Sequence, residues 1–166
     1  EISNMFEIMN KERPGVYLEW GTGFSAAWMS AFSMNTFVID MDPTWIDKVM
    51  NFGLPRCLRE HGRFFGNSPS LTRDDGSWIP ITTFGHPQDP NDAWVLGSQY
   101  VNFIEAFDVT NNTIEIVLID GRYRIACALK LLNYNVRYIF FHDWVSRPHY
   151  HAPVLQFYEW HNPRDY

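Results

Sequence analysis

A run of strand-type side chains, Val16-Tyr17-Leu18, leads into an acid and a turn with two glycines, Glu19-Trp20-Gly21-Thr22-Gly23-Phe24-Ser25-Ala26. From Phe24 to Phe32, the residues Phe24, Trp28, Met29 and Phe32 recur at helical spacing and predict one apolar face. The segment reads as strand, tight turn and helix, an order that narrows the possible folds sharply. Glycine at 21 and 23 opens backbone angles closed to other residues and removes the Cβ that would hold a ligand away from the main chain. The first N–H groups of the following helix have no partner within it, so they face the turn. A nucleotide-like ligand is the natural occupant.

The same alternation continues along the chain. Thr36 to Asp40 reads as a second buried strand ending in a carboxylate, and Pro43 opens a helix to about Met50 with Trp45, Ile46 and Val49 as its apolar positions. Ile114 to Asp120 is almost continuously apolar, as suits a strand covered on both faces. Gly121 breaks it, and Arg122 to Leu132 carries Ile125, Ala128, Leu129 and Leu132 on one helical side. Val136 to Phe141 is the next strand and ends at His142-Asp143, while further helices are expected over 3–12, Ala93–Phe107 and Ala152–Trp160. This order predicts an α/β, Rossmann-like three-layer sandwich with a predominantly parallel sheet. With 166 residues and 46% hydrophobic content, the chain is expected to form a single domain over 1–166. Glycines and prolines punctuate an irregular insert at about 51–92, with one strand expected at Trp78–Phe84. So long a loop reads either as a surface excursion or as a substrate lid.

Charge and cysteine content narrow the partners. A net charge of −6 argues against nucleic acid or an anionic membrane as the main partner. No apolar run approaches the ~18 residues of a membrane span. The two cysteines, Cys57 and Cys127, make no disulfide framework, and Cys127 falls in a helix core, so a reducing compartment, the cytoplasm, is the default. Asn111-Asn112-Thr113 fits a glycosylation sequon, which matters only in a secreted chain. A small molecule is left as the expected partner.

Four acids stand at or just beyond strand ends: Glu19, Asp40, Asp120 and Asp143. Open parallel sheets bind ligands beyond the carboxyl ends of their strands, near the point where strand order reverses. One such acid alone is an ordinary solvated strand end, but four gathered on one edge repel unless a cation or a hydroxyl-rich ligand is present. Arg122 and Arg124 follow the fourth-strand acid at once; their forks suit a carboxylate or phosphate ligand, and Arg122 equally suits pairing with Asp120 or Asp143. His149, Tyr150 and His151 either line an acceptor pocket or pack as ordinary surface rings.

Leu18-Glu19-Trp20-Gly21-Thr22-Gly23-Phe24-Ser25 resembles the first motif of class I S-adenosylmethionine-dependent methyltransferases, in which an acid is followed by spaced glycines. Val38 to Trp45 is similar to the second motif, and Ile119-Asp120-Gly121-Arg122 and Phe140-Phe141-His142-Asp143 resemble the ends of the fourth and fifth strands. The resemblance covers Val16 to Asp143, with the middle insert unmatched. It implies S-adenosylmethionine as cofactor, contacted by Glu19, Gly21, Gly23, Ser25, Asp40 and Trp45, with Asp40 on the ribose hydroxyls. It also implies a small polar acceptor, O-methylated with Asp120, His142 or Asp143 handling its proton. Some O-methyltransferases of this fold hold metal at these two strand ends, so Asp120 and Asp143 are candidate ligands for Mg²⁺ or another divalent cation. The family's sheet closes with two more strands, which the short stretch after Asp143 does not supply, so the expectation is either a truncated chain or a smaller sheet that lacks them.

Two other readings compete. Gly21 to Ala26 also satisfies the dinucleotide fingerprint, with Asp40 near the spacing of a ribose-binding acid, which fits an NAD-dependent oxidoreductase. Glu19 counts against it, because a carboxylate there would lie near a pyrophosphate, whereas it could pair with the ammonium of a methionine-type cofactor. The third reading is a non-catalytic binding module on the same fold.

Overall fold

A computed structural model describes residues 2–53, 63–82, 85–107 and 114–160. Five short strands form one sheet: β1 Val16–Trp20, β2 Asn35–Ile39, β3 Phe64–Asn67, β4 Ile116–Ile119 and β5 Tyr138–Phe141. Every neighbouring pair is parallel, in the order β3-β2-β1-β4-β5. The chain leaves the central β1 toward β2 and β3, then crosses back to β4 on the other side. Strand order therefore reverses between β1 and β4, where open α/β sheets bind their ligands.

Helices cover both faces: α1 Ile2–Glu12, α2 Phe24–Met29, α3 Pro43–Lys48, α4 Ala93–Asn102, α5 Arg124–Lys130 and α6 His151–Leu155. The period of two along each strand sorts the core into two layers. Val16, Leu18, Trp20, Ile39, Val117 and Ile119 pack with Leu96 and Tyr100 of α4, Cys127 and Ala128 of α5 and Val154 of α6. On the other face, Tyr17, Ile116 and Leu118 meet Met5 and Met9 of α1 and Met29 of α2. Val38 and Phe64 complete that layer against Ala26 and Ala27. All five residues of β1 are buried, as both-face coverage requires. The fold is thus α/β, Rossmann-like and three-layered, and the described residues add no strand beyond β5.

Local chemistry fixes the connections. Asp42 caps α3 by accepting from Thr44 N at 2.9 Å and Thr44 Oγ1 at 2.7 Å, with Pro43 at the first turn. Tyr123 adopts a left-handed conformation (φ 53°) just before α5, so Gly121 to Tyr123 form the joint and Arg124 becomes the first helical residue.

Three elements depart from the sequence reading. The helix after the glycine turn spans only six residues and buries Ala26, Ala27 and Met29, leaving Phe24 and Trp28 57% and 64% exposed. Small side chains let α2 sit close to β2, and the two large rings turn outward, edge-on to Trp45 and Phe6. The third strand lies at Phe64–Asn67. The described part of the expected strand at Trp78–Phe84 makes only isolated antiparallel bridges, Thr72 with Trp78 and Ile81 with Pro87, and Pro80 interrupts any ladder there. Thr83 and Phe84 lie outside the described residues, as do Cys57 and the Asn111–Thr113 triplet.

The described part of the insert is packed down. Leu71 and Ile79 are fully buried, and Arg73 grips Asp92 through two bonds of 2.7 and 2.6 Å. The paired carboxylate anchors this segment to the turn that opens α4. No helix among the described residues is long and apolar enough to cross a membrane.

Candidate functional site

At the tip of β1 the chain turns on Gly21, whose φ of +87° is a left-handed conformation. A Cβ there would lie 2.3 Å from the backbone nitrogen of Gly121, so this glycine is required twice over, by its backbone angle and by the β4 tip pressed against it. Gly121 answers from the other side, since its own Cβ would meet Tyr100 Oη at 2.0 Å. Gly23 differs from the sequence expectation: its backbone is extended (φ −133°), so no left-handed angle demands glycine.

Glu19 explains the shape of the turn. Its Oε1 accepts from Gly23 N at 3.0 Å and Ser25 Oγ at 2.8 Å, and its Oε2 accepts from Tyr17 Oη at 2.6 Å. The side chain is fully buried on the α1–α2 face. Burial pushes its pKa up to about 8, against the lowering effect of the Tyr17, Ser25 and Gly23 donors. Glu19, Gly23 and Ser25 thus come together around one another.

A cavity of about 600 Å³ opens beyond the carboxyl ends of β1, β2 and β4. Gly21, Thr22, Asp40, Trp45, Tyr100, Asp120 and Gly121 line it from the sheet edge and neighbouring helices. Thr82 and Gly85 reach it from the insert. The size falls within the range of small-molecule sites. Asp40 Oδ1 accepts from Asp42 N at 2.9 Å, and burial raises the Asp40 pKa to about 6 while backbone donors from Asp42, Thr22 and Met41 draw it down. Trp45 donates from Nε1 to the Thr22 carbonyl, which locks its ring beside the turn. Thr22 Oγ1 is buried and has no hydrogen-bond partner among the described residues.

Beyond the cavity, the tips of β4 and β5 form a charged cluster. Arg124 donates from Nε to Gly121 O at 2.9 Å, from Nη1 to His142 O at 2.6 Å and from Nη2 to Asp120 O at 2.9 Å. It also stands 3.3 Å from Asp120 Oδ1 and 3.3 Å from Asp143 Oδ2. His142 Nδ1 approaches Asp120 Oδ1 at 2.6 Å, an ion-pair distance but off the line of a hydrogen bond. Burial raises the Asp120 pKa although His142 and Arg124 draw it down. At Asp143, which holds a left-handed backbone (φ 61°), the upward push from desolvation is the largest single effect, but His142, Arg124 and Arg147 together outweigh it and its pKa falls.

The structure therefore places the sequence candidates in three groups. Gly21, Asp40, Trp45 and Asp120 line one cavity. His142 and Asp143 adjoin it through Asp120 and Arg124, and Glu19, Gly23 and Ser25 form the internal brace of the β1 turn. Asp120 and Asp143 share the Arg124 guanidinium where a cation would have to sit. Among the described residues no group of three or more His, Cys, Asp or Glu is placed to hold a metal. These residues do not fit a divalent ion.

Arg124, the second of the two arginines, pairs with both Asp120 and Asp143. Tyr100 and Arg147, both on the cavity wall, were not anticipated. Arg147 was detectable, because it follows Asp143 at i,i+4 spacing and pairs with it at 3.2 Å. Tyr100 had no local signal, since it reaches the sheet edge from a helix more than 70 residues away in sequence from Gly21. Comparisons of the chain with protein families, with curated proteins and with solved structures find no match.

Proposed function

We propose that this chain is an S-adenosylmethionine-dependent methyltransferase that methylates a hydroxyl on a small polar acceptor. One observation carries the reading: Asp40, the Gly21 turn and Asp120 line a single cavity at the point where strand order reverses. S-adenosylmethionine, when bound, supplies an electrophilic methyl group on a sulfonium sulfur, and the sulfur keeps the bonding electron pair as the methyl leaves.

Asp40 is suited to accept two ribose hydroxyls, and Trp45, fixed by the Thr22 carbonyl, offers an apolar wall for the adenine. Gly21 and Thr22 form the floor. Glu19, Gly23 and Ser25 serve the cofactor through the shape of the turn, which they hold from within. Asp120 faces the cavity with a raised pKa and is the proton acceptor in this reading. As the acceptor O–H bond breaks, the proton passes to the Asp120 carboxylate and the oxygen electron pair forms the new O–CH₃ bond. His142 and Arg124 hold that carboxylate in place.

The dinucleotide reading has less support. A pyrophosphate is usually seated by N–H groups of the turn and helix start, and here the Gly23 N–H already donates to Glu19. Calorimetric titration with S-adenosylmethionine, S-adenosylhomocysteine and NAD tests the assignment. S-adenosylhomocysteine is expected to bind, and Asp40→Ala to weaken it by about 1.5–3 kcal/mol for each hydrogen bond lost to the carboxylate. Binding of NAD alone, or unchanged affinity in a folded Asp40→Ala chain, would overturn the reading.

A further inference from the structure

The two walls of the cavity differ in charge. Asp40, Asp42 and Lys48 stand on the β2–α3 side, whereas the guanidinium groups of Arg122, Arg124 and Arg147 stand with the Asp120 carboxylate on the β4–β5 side, so cations outnumber acids only there. The chain as a whole carries a net charge of −6, so a positive wall is not the background of this surface.

The arginines have different tasks. Arg124 engages the carbonyls of Gly121, Asp120 and His142 and both neighbouring carboxylates, so it clamps the strand tips together. Arg147 is held more lightly and at both ends of its fork: Nη2 meets Asp143 Oδ2 at 3.2 Å and Nη1 donates to Tyr150 Oη at 3.2 Å. Its guanidinium carbon also lies 5.9 Å from the Tyr150 ring centroid, and Tyr150 itself is buried. A guanidinium has five N–H donors. Among the described residues, the Nε–H of Arg147 and one N–H on each terminal nitrogen therefore remain for a ligand, on a fork whose orientation Asp143 and Tyr150 fix beforehand. A preoriented planar fork facing a cavity matches the bidentate geometry of a carboxylate or phosphate.

We propose that the methyl acceptor is an anion, a hydroxyl compound bearing a carboxylate or phosphate that Arg147 holds across the cavity from Asp40. The word acceptor rests on the methyltransferase reading; the anion site at Arg147 does not. The two ends of the cavity then have separate recognition, hydroxyls on the acidic side and the anionic group on the arginine side, with Asp120 on the wall between them.

The test is calorimetric titration of the full chain, with and without S-adenosylhomocysteine, using inorganic phosphate, phenyl phosphate, 4-hydroxybenzoate and neutral 4-hydroxybenzamide. At least one anion is expected to bind about ten-fold more tightly than the amide, the size of one charge-assisted contact. Phenyl phosphate against 4-hydroxybenzoate decides between phosphate and carboxylate. Arg147→Gln should bring that anion level with the amide, and Arg147→Lys should restore part of the difference. Raising salt from about 50 to 500 mM should weaken the anion and leave the amide unchanged, a readout on the unsubstituted chain that needs no variant to fold. Equal binding of anions and amide, or a preference that survives Arg147→Gln, overturns the proposal. An anion preference that depends on Arg147 without any binding of S-adenosylhomocysteine would keep the site and remove the methyltransferase reading.

Discussion

At the tip of β1 the carboxyl group of Glu19 is fully buried and takes three donors from Tyr17, Gly23 and Ser25, whereas at the tips of β4 and β5 Asp120 and Asp143 stay partly exposed and share a guanidinium. The residue types are alike and the sheet edge is the same. Access to water separates them. Removing Glu19 from solvent favours its neutral form, and its bonds to Tyr17, Gly23 and Ser25 make it an internal brace for the turn. Asp120 and Asp143 keep an arginine beside them, and the cluster stays polar and open to the cavity side. A strand-end acid is thus assigned its task by the layer into which its side chain points.

Breaking the β1 tip should cost most. Gly21→Ala places a methyl group against the Gly121 backbone at a left-handed angle, and urea unfolding should show a loss of about 3–5 kcal/mol. A loss under about 1 kcal/mol would show that the two strand tips are not pressed together. Glu19→Ala comes next, because it orphans buried donors of the turn; a loss of roughly 2–4 kcal/mol is expected in the same assay.

The third prediction sharpens the contrast through pH. The folded pKa of Glu19, about 8, lies above its ordinary 4.5, so the folded chain holds a proton that the unfolded chain releases. The stability this contributes is fully present below about pH 4.5 and is lost as pH rises through about 8. Glu19→Gln cannot ionise, so its unfolding free energy should decline less than that of the parent across this window. Parallel curves would place Glu19 among ordinary carboxylates. The smallest effect is expected at the other tip, where Asp143→Asn disturbs only partly exposed ion pairs and should move Tm by less than about 3 °C.

The parts of the fold legible in the sequence were those with a repeating apolar pattern. β1, β2, β4 and β5 announce themselves by runs such as Ile116-Val117-Leu118-Ile119, and their parallel order follows from the helices between them. β3 did not, because Phe64-Phe65-Gly66-Asn67 is four residues long and contains a glycine. That glycine has a packing reason visible only in three dimensions: a Cβ at Gly66 would lie 2.4 Å from Ile46 Cγ2. Asp40 and Asp120 at the cavity could be read from strand ends. The double pairing of Arg124 could not, since the left-handed Tyr123 resets the direction of side chains between the strand and α5. Nor could the inward turn of Glu19, which depends on which layer of helices covers that face.

The seam between β1 and β4 joins distant parts of the chain: the Gly15 N–H donates to Glu115 Oε2 across 100 positions. Loop closure on that scale is slow relative to the local pairing of β1 with β2, so the half-sheet β1–β3 forms from nearer contacts while one edge of β1 waits unpaired. An unpaired central strand is an adhesive surface toward other copies of the chain. Refolding yield should therefore fall with protein concentration even where the finished fold is stable. The cavity, whose walls come from both sides of the seam, exists only once this last pairing has closed, so ligand binding during refolding would time the final step.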